Sequence, residues 1–175
     1  MKRSDNGAKF DTARIHLLIT LAVLIFIFVH SAMSSETSGG ESGFFAGILS
    51  LITGLRFQTA HFIVRKAAHF SEFAVLGICL NANFIDLTTQ NEPTETTEPN
   101  RSPAKQMLWK HHLLATWIAG TLYAGTDEFH QFFVEGRSCE FRDVCIDAAG
   151  VAFGILITVI VRAIKAGGSI GRRER

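Results

Sequence analysis

Residues 17–29 contain nothing more polar than Thr20, and with its flanks (15–33) the run reaches the roughly 20 residues that a helix needs to cross hydrocarbon. Within lipid no water is present to satisfy backbone N–H and C=O groups, so a crossing segment has to close its hydrogen bonds internally. Further apolar blocks of similar length lie at 67–85, 113–133 and 143–161. The chain is therefore read as an all-α, polytopic membrane helical bundle with four transmembrane helices. A shorter apolar stretch, 44–57, repeats Phe44, Phe45, Ile48, Leu51, Ile52 and Leu55 at helical spacing, which suits an interfacial amphipathic helix better than a span. Composition agrees: 47% of residues are hydrophobic and 19% charged, with a mean hydropathy of +0.23, which excludes a disordered polar chain.

The boundaries follow from these blocks. Residues 1–14 form an N-terminal segment, 15–163 a single membrane domain, and 164–175 a basic tail; the Thr-, Glu- and Pro-rich stretch 86–106 reads as a flexible loop between the second and third crossings. Histidine at position 30 disfavours signal-peptide cleavage around His30-Ser31-Ala32, so the first block is expected to remain as an anchor. With four crossings and a cytoplasmic N-terminus, twelve of the 17 Lys and Arg residues fall inside, while Arg56, Arg65, Lys66, Arg137 and Arg142 fall outside. The positive-inside rule selects that orientation, which makes the protein multi-pass in the cell membrane with both termini cytoplasmic. A net charge of +1 supplies no overall field for nucleic acid, and three scattered cysteines make no disulfide framework.

Acidic residues inside the crossings gather at their outer ends. Arg65, His69 and Glu72, four and three apart, form one stripe at the start of the second crossing. Asp127, Glu128, His130 and Gln131 close the third, and Asp143 and Asp147, one turn apart, open the fourth. Gly150 and Gly154 continue that side as a seam for close helix approach. An ionisable group in a span costs about 2.5–3.5 kcal/mol on insertion scales, so these residues are expected to face one another or a watered cavity. Helix capping and ion pairing account most simply for Asp143 and Lys66.

Three blocks carry a family pattern: Arg65-Lys-Ala-Ala-His69-Phe-Ser-Glu72-Phe, Asp127-Glu128-Phe-His130-Gln131-Phe-Phe-Val-Glu-Gly136-Arg137, and Asp143-Val-Cys-Ile-Asp147-Ala-Ala-Gly150. In this order and spacing they resemble the VanZ-like membrane proteins, named for a teicoplanin-resistance protein, over residues 17–161. The resemblance implies a small cell-envelope protein, linked in some members to low-level glycopeptide resistance, with no settled activity. Asp147 departs from the Asn often expected there, and the 86–106 loop is long.

Two chemistries suit the cluster. As an enzyme site for a lipid-linked phosphate or glycan, Glu72, Asp127 or Glu128 would act as base and His130 or His69 as acid, with Arg65, Lys66 and Arg137 binding phosphate. Gln131, Asp143 and Asp147 would complete the ligand-binding set. As a binding site, the same residues would hold a cationic or glycan ligand, or assist an envelope enzyme without catalysis. No cofactor is legible; two histidines and several carboxylates are compatible with Zn²⁺ or Mn²⁺, but no His-x-x-x-His pair marks a metal centre. Ser71, Ser138 and Cys139 have no assigned activating partner. The expected partners are membrane lipids, with a lipid-linked glycan or phosphate as ligand and no nucleic acid. His16, His30, His111 and His112 read as interface residues at the helix ends.

Overall fold

The computed structural model describes residues 2–32, 35–90, 103–134 and 139–170, and side chains within 11–32, 42–87, 111–134 and 139–166. The described residues form five helices and no strands: α1 (Lys2–Ala32), α2 (Ser35–Thr53), α3 (Phe57–Gln90), α4 (Pro103–Gln131) and α5 (Phe141–Ile170). Three of them contain stretches long and apolar enough to cross a membrane, Asp11–Ala32, Phe57–Leu87 and Phe141–Ala166. α4 is long enough, but its polar residues keep it below that level of hydropathy, so length and composition establish three candidate spans.

Several boundaries differ from the sequence reading. The apolar stretch expected at 44–57 belongs to a helix that ends at Thr53, where Gly54 takes φ 71° and its N–H bonds to Ser50 O at 2.9 Å. That left-handed conformation is the common way for a helix to stop, and glycine adopts it without a Cβ clash. Arg56 O then accepts from Thr59 N and Ala60 N, so α3 starts at Phe57, ten residues before the expected crossing. The charged and polar residues between Arg56 and Lys66 lower local hydropathy without breaking the helix. The expected loop 86–106 is also shorter, since 86–90 belong to α3 and 103–106 to α4; residues 91–102 lie outside the described residues.

Burial is inverted relative to a protein folded in water. The interior holds Thr20, Ser31, Asn81, Thr116, Asp127, Glu128, Gln131 and Asp147, while Leu18, Ile25, Phe26, Phe28, Leu122, Phe153 and Leu156 are exposed. A surface of this kind is satisfied by lipid, and several of the interior polar groups bond across helices, as Ser31 does to Asp127. α3 and α5 run parallel in the closest pairing of the bundle: a Cβ on Gly150 or Gly154 would collide with the carbonyl oxygens of Phe70 and Ala74, respectively. Phe73, Leu76, Ala124, Val151 and Ile155 fill the apolar core beside this seam, joined by Ile27 of α1. Trp117 Nε1 donates to Ala148 O at 3.1 Å across α4 and α5, and Tyr123 Oη donates to Leu24 O at 2.7 Å across α4 and α1.

α1 and α3 are antiparallel and tied at both ends. His16 Nδ1 lies 2.6 Å from Asp86 Oδ2, and His30 Nδ1 lies 2.7 Å from Glu72 Oε1. The ties are 14 residues apart on each helix, about 21 Å at 1.5 Å per residue, so apolar side chains fill most of the interval. Asn83 Nδ2, donating to Thr20 Oγ1 at 2.6 Å, adds a polar contact near the first tie.

Candidate functional site

The second tie opens onto a polar cluster built by four helices. α1 brings His30 and Ser31, α3 brings His69 and Glu72, α4 brings Asp127, and α5 brings Asp147. Asp127 and Asp147 are each only 2% exposed. Asp127 Oδ2 accepts from Ser31 Oγ at 2.8 Å and from Gln131 Nε2 at 2.9 Å, which fixes the carboxylate and leaves Oδ1 buried without a hydrogen-bond partner. Asp147 Oδ1 is likewise buried without one, and His69 Nδ1 stands 4.0 Å from it. Glu72 uses Oε1 on His30 and keeps Oε2 unpartnered. The His30 ring lies 6.4 Å from the His69 ring, centroid to centroid.

Side-chain atoms of His69, Asp127 and Asp147 that could hold a metal all lie within 4.8 Å of one another. No spacing in the sequence displays this group, because each ligand comes from a different helix.

The remaining residues singled out in the sequence separate into two kinds. Glu128, adjacent to Asp127 and so about 100° around α4, is almost fully buried and accepts the Glu140 N–H at 3.0 Å through Oε1. It ties the start of α5 back to α4. Lys66 pairs with Asp143 in the first turn of α5 and sits 5.4 Å from the Phe62 ring centroid, a contact that locks α3 to α5. Arg65 is half-buried and makes no ion pair among the described residues. His130 stacks on Phe28 with ring centroids 4.3 Å apart, and its Nδ1 is buried without a hydrogen-bond partner. Arg137, with Gly136 before it, lies outside the described residues.

Two members of the cluster, His30 and Ser31, were not among the candidate site residues. His30, expected at the membrane interface, contacts Glu72. Histidine and serine directly after a long apolar run were the available signal, and one helix gives no indication of what a polar pair at its end will meet. His16 pairs with Asp86 at the opposite end of the same helix pair.

An apolar groove of about 420 Å³ runs between α1 and α3, lined by Ile19, Val23, Phe26, Ile27, Val75 and Glu72. Glu72 is the ionisable group in this lining, so the groove meets the polar cluster at the carboxylate that holds His30.

Comparison with known proteins gives one family. The model described as VanZ/LLP1 matches residues 16–162, which include every residue of the cluster on its four helices. No curated protein and no solved structure matches the chain.

Proposed function

The chain belongs to the VanZ/LLP1 family, and from that premise we propose that it is a four-crossing membrane protein that binds the polar head of a lipid-linked glycan at the outer leaflet. In this reading α4 is the fourth crossing: its polar face is turned into the bundle, and the apolar side chains Leu114, Ile118 and Leu122 remain exposed to lipid. The basic-residue distribution supports an orientation with both termini in the cytoplasm and the cluster outside. α2, whose exposed Phe44, Phe45, Ile48, Leu51 and Ile52 form its apolar side, lies in the interface.

The observation that carries the ligand class is the union of an apolar groove with unpartnered acceptors. The groove suits an isoprenoid or acyl chain. Glu72 Oε2, Asp127 Oδ1 and Asp147 Oδ1 are acceptors without donors, and a buried acceptor left unsatisfied costs about 1–3 kcal/mol. Sugar hydroxyls supply donors. A bare phosphate supplies only more acceptors and negative charge, and Lys66, a cation near the cluster, is already paired with Asp143. Low-level glycopeptide resistance has a route here, since a protein holding the glycan lipid competes with the drug for it.

The test is native mass spectrometry of the full chain in lipid nanodiscs with a polyprenyl diphosphate-disaccharide and with the polyprenyl phosphate alone. The disaccharide lipid is expected to bind at least about tenfold more tightly, roughly 1.4 kcal/mol. Glu72→Gln should reduce that preference, and Val23→Trp, which fills the groove, should weaken both lipids. Equal retention of both lipids by the wild type would overturn the glycan reading.

A second reading has its own support: Lys66–Asp143, Glu128–Glu140 and His30–Glu72 are helix ties. The polar end would then serve packing, with the protein assisting an envelope enzyme. Loss of fold without selective loss of lipid binding in Glu72→Gln would favour it.

A further inference from the structure

We infer that His69, Asp127 and Asp147 form a site for one divalent transition-metal cation of the Mn²⁺ or Zn²⁺ class. The three side chains come from α3, α4 and α5, and their ligand atoms lie within 4.8 Å of one another. Two independent features point to an ion as well as the proximity does. Asp127 and Asp147 are each only 2% exposed, each carries a buried Oδ1 with no hydrogen-bond partner, and that of Asp147 faces His69 Nδ1. Asp127 also has its other oxygen held by Ser31 and Gln131, the outer arrangement that orients a metal-binding carboxylate.

Distance argues for coordination over direct pairing. His69 Nδ1 and Asp147 Oδ1 are 4.0 Å apart, too far for a hydrogen bond. Two ligands of one ion, with bonds of about 2.1 Å, stand up to about 4.2 Å apart. No separation in the group exceeds 4.8 Å. Charge argues the same way: two carboxylates in a lipid-embedded interior repel each other, and a doubly charged ion neutralises both. One imidazole nitrogen with carboxylate oxygens selects a borderline first-row ion over Ca²⁺ or Mg²⁺, which take oxygen ligands alone, and over thiolate-seeking Cu(I). Three protein ligands leave open positions that water or a ligand oxygen takes. The inference deepens the head-group reading: with Asp127 and Asp147 holding the ion, an open coordination position takes a head-group oxygen and Glu72 Oε2 remains the acceptor for a sugar hydroxyl, although the geometry of the three ligands stands apart from that reading.

The experiment uses the full chain in detergent, stripped with chelator and titrated separately with Zn²⁺ and Mn²⁺. Bound metal is measured by mass spectrometry, and Mn²⁺ by electron paramagnetic resonance. The wild type should hold about one ion per chain. Asp127→Asn and Asp147→Asn should each weaken binding at least about tenfold, and His111→Ala, at the other end of α4, should leave it unchanged. To separate binding from folding, melting is followed with and without metal: Asp147→Asn should keep its helical content and lose the metal-induced rise in Tm. A wild type that holds no ion at millimolar Zn²⁺ and Mn²⁺, or full affinity in both Asn variants, would overturn the inference. Glycan-lipid retention by the same preparations separates the two proposals, since metal binding without lipid binding removes the head-group reading alone, and lipid binding without metal removes this one alone.

Discussion

Asp127 shows what one residue can disclose in the sequence and what it cannot. Its position four before Gln131 places the two side chains on one side of a helix, and the Gln131 Nε2 contact at 2.9 Å follows from that spacing. The Ser31 contact, 96 residues away in the chain, has no such trace. His69 and Glu72 are legible for the same reason as Gln131, being three apart on α3, whereas the meeting of His69 with Asp147 depends on how α3 and α5 dock. Arg65 shares their spacing yet forms no ion pair among the described residues, because a stripe along a helix end spans more depth than one cluster does. The energetic weight of the Ser31 contact is testable. Ser31→Ala should lower stability by about 0.5–1.5 kcal/mol, the range for a hydrogen bond within a membrane bundle. In an Asp127→Asn background the same change should cost less, since the charged acceptor is already gone. Denaturant unfolding in mixed micelles gives the double-mutant cycle, and strictly additive losses would show that the contact contributes nothing to the fold.

Among the elements, the pairing of α3 with α5 sets the position of the cluster. The Gly150 and Gly154 seam was visible as small residues four apart, and the structure presses it against the α3 backbone at Phe70 and Ala74. The true start of α3 was hidden, because hydropathy falls between Arg56 and Lys66 while the helix continues on the strength of its packing against α2. Ser42 Oγ and His61 Nε2, 2.8 Å apart, are one contact in that packing. The seam makes a sharp comparison between two glycines. Gly154→Ala would drive a methyl group into the Ala74 carbonyl and should destabilise by about 1–3 kcal/mol through forced separation of the helices. Gly125 on α4 has open space where a Cβ would sit, so Gly125→Ala should be neutral or stabilising by up to about 1 kcal/mol from helix propensity. Thermal unfolding of the two variants measures both, and metal retention should fall in Gly154→Ala along with stability, because Asp147 rides on α5. Equal effects at the two glycines would mean that the seam does not set the α3–α5 distance.

For the whole molecule, polarity and topology compete at α4. Length and composition establish α1, α3 and α5 as candidate spans; α4 falls short because Asp127, Glu128, His130 and Gln131 sit in one helix, yet Asp127, Glu128 and Gln131 are buried against the other helices. Hydropathy averages around a helix and cannot register which side faces lipid, so a crossing that carries much of a polar site is the one it undercounts. Counting sides decides the matter. If α4 crosses, the segment between α3 and α4 and the segment between α4 and α5 lie on opposite faces of the membrane; if it does not, they share a face. Cys139, exposed just before α5, reports the second segment, and Thr94→Cys reports the first. With Cys79 and Cys145 replaced by Ala, a membrane-impermeant maleimide applied to intact cells should label Cys139. In a Cys139→Ala version carrying Thr94→Cys, labelling should require permeabilisation. The reverse pattern would preserve four crossings and invert the positive-inside orientation. Labelling of both positions from the same side would remove α4 as a crossing and, with it, the placement of the carboxylate cluster at the outer leaflet.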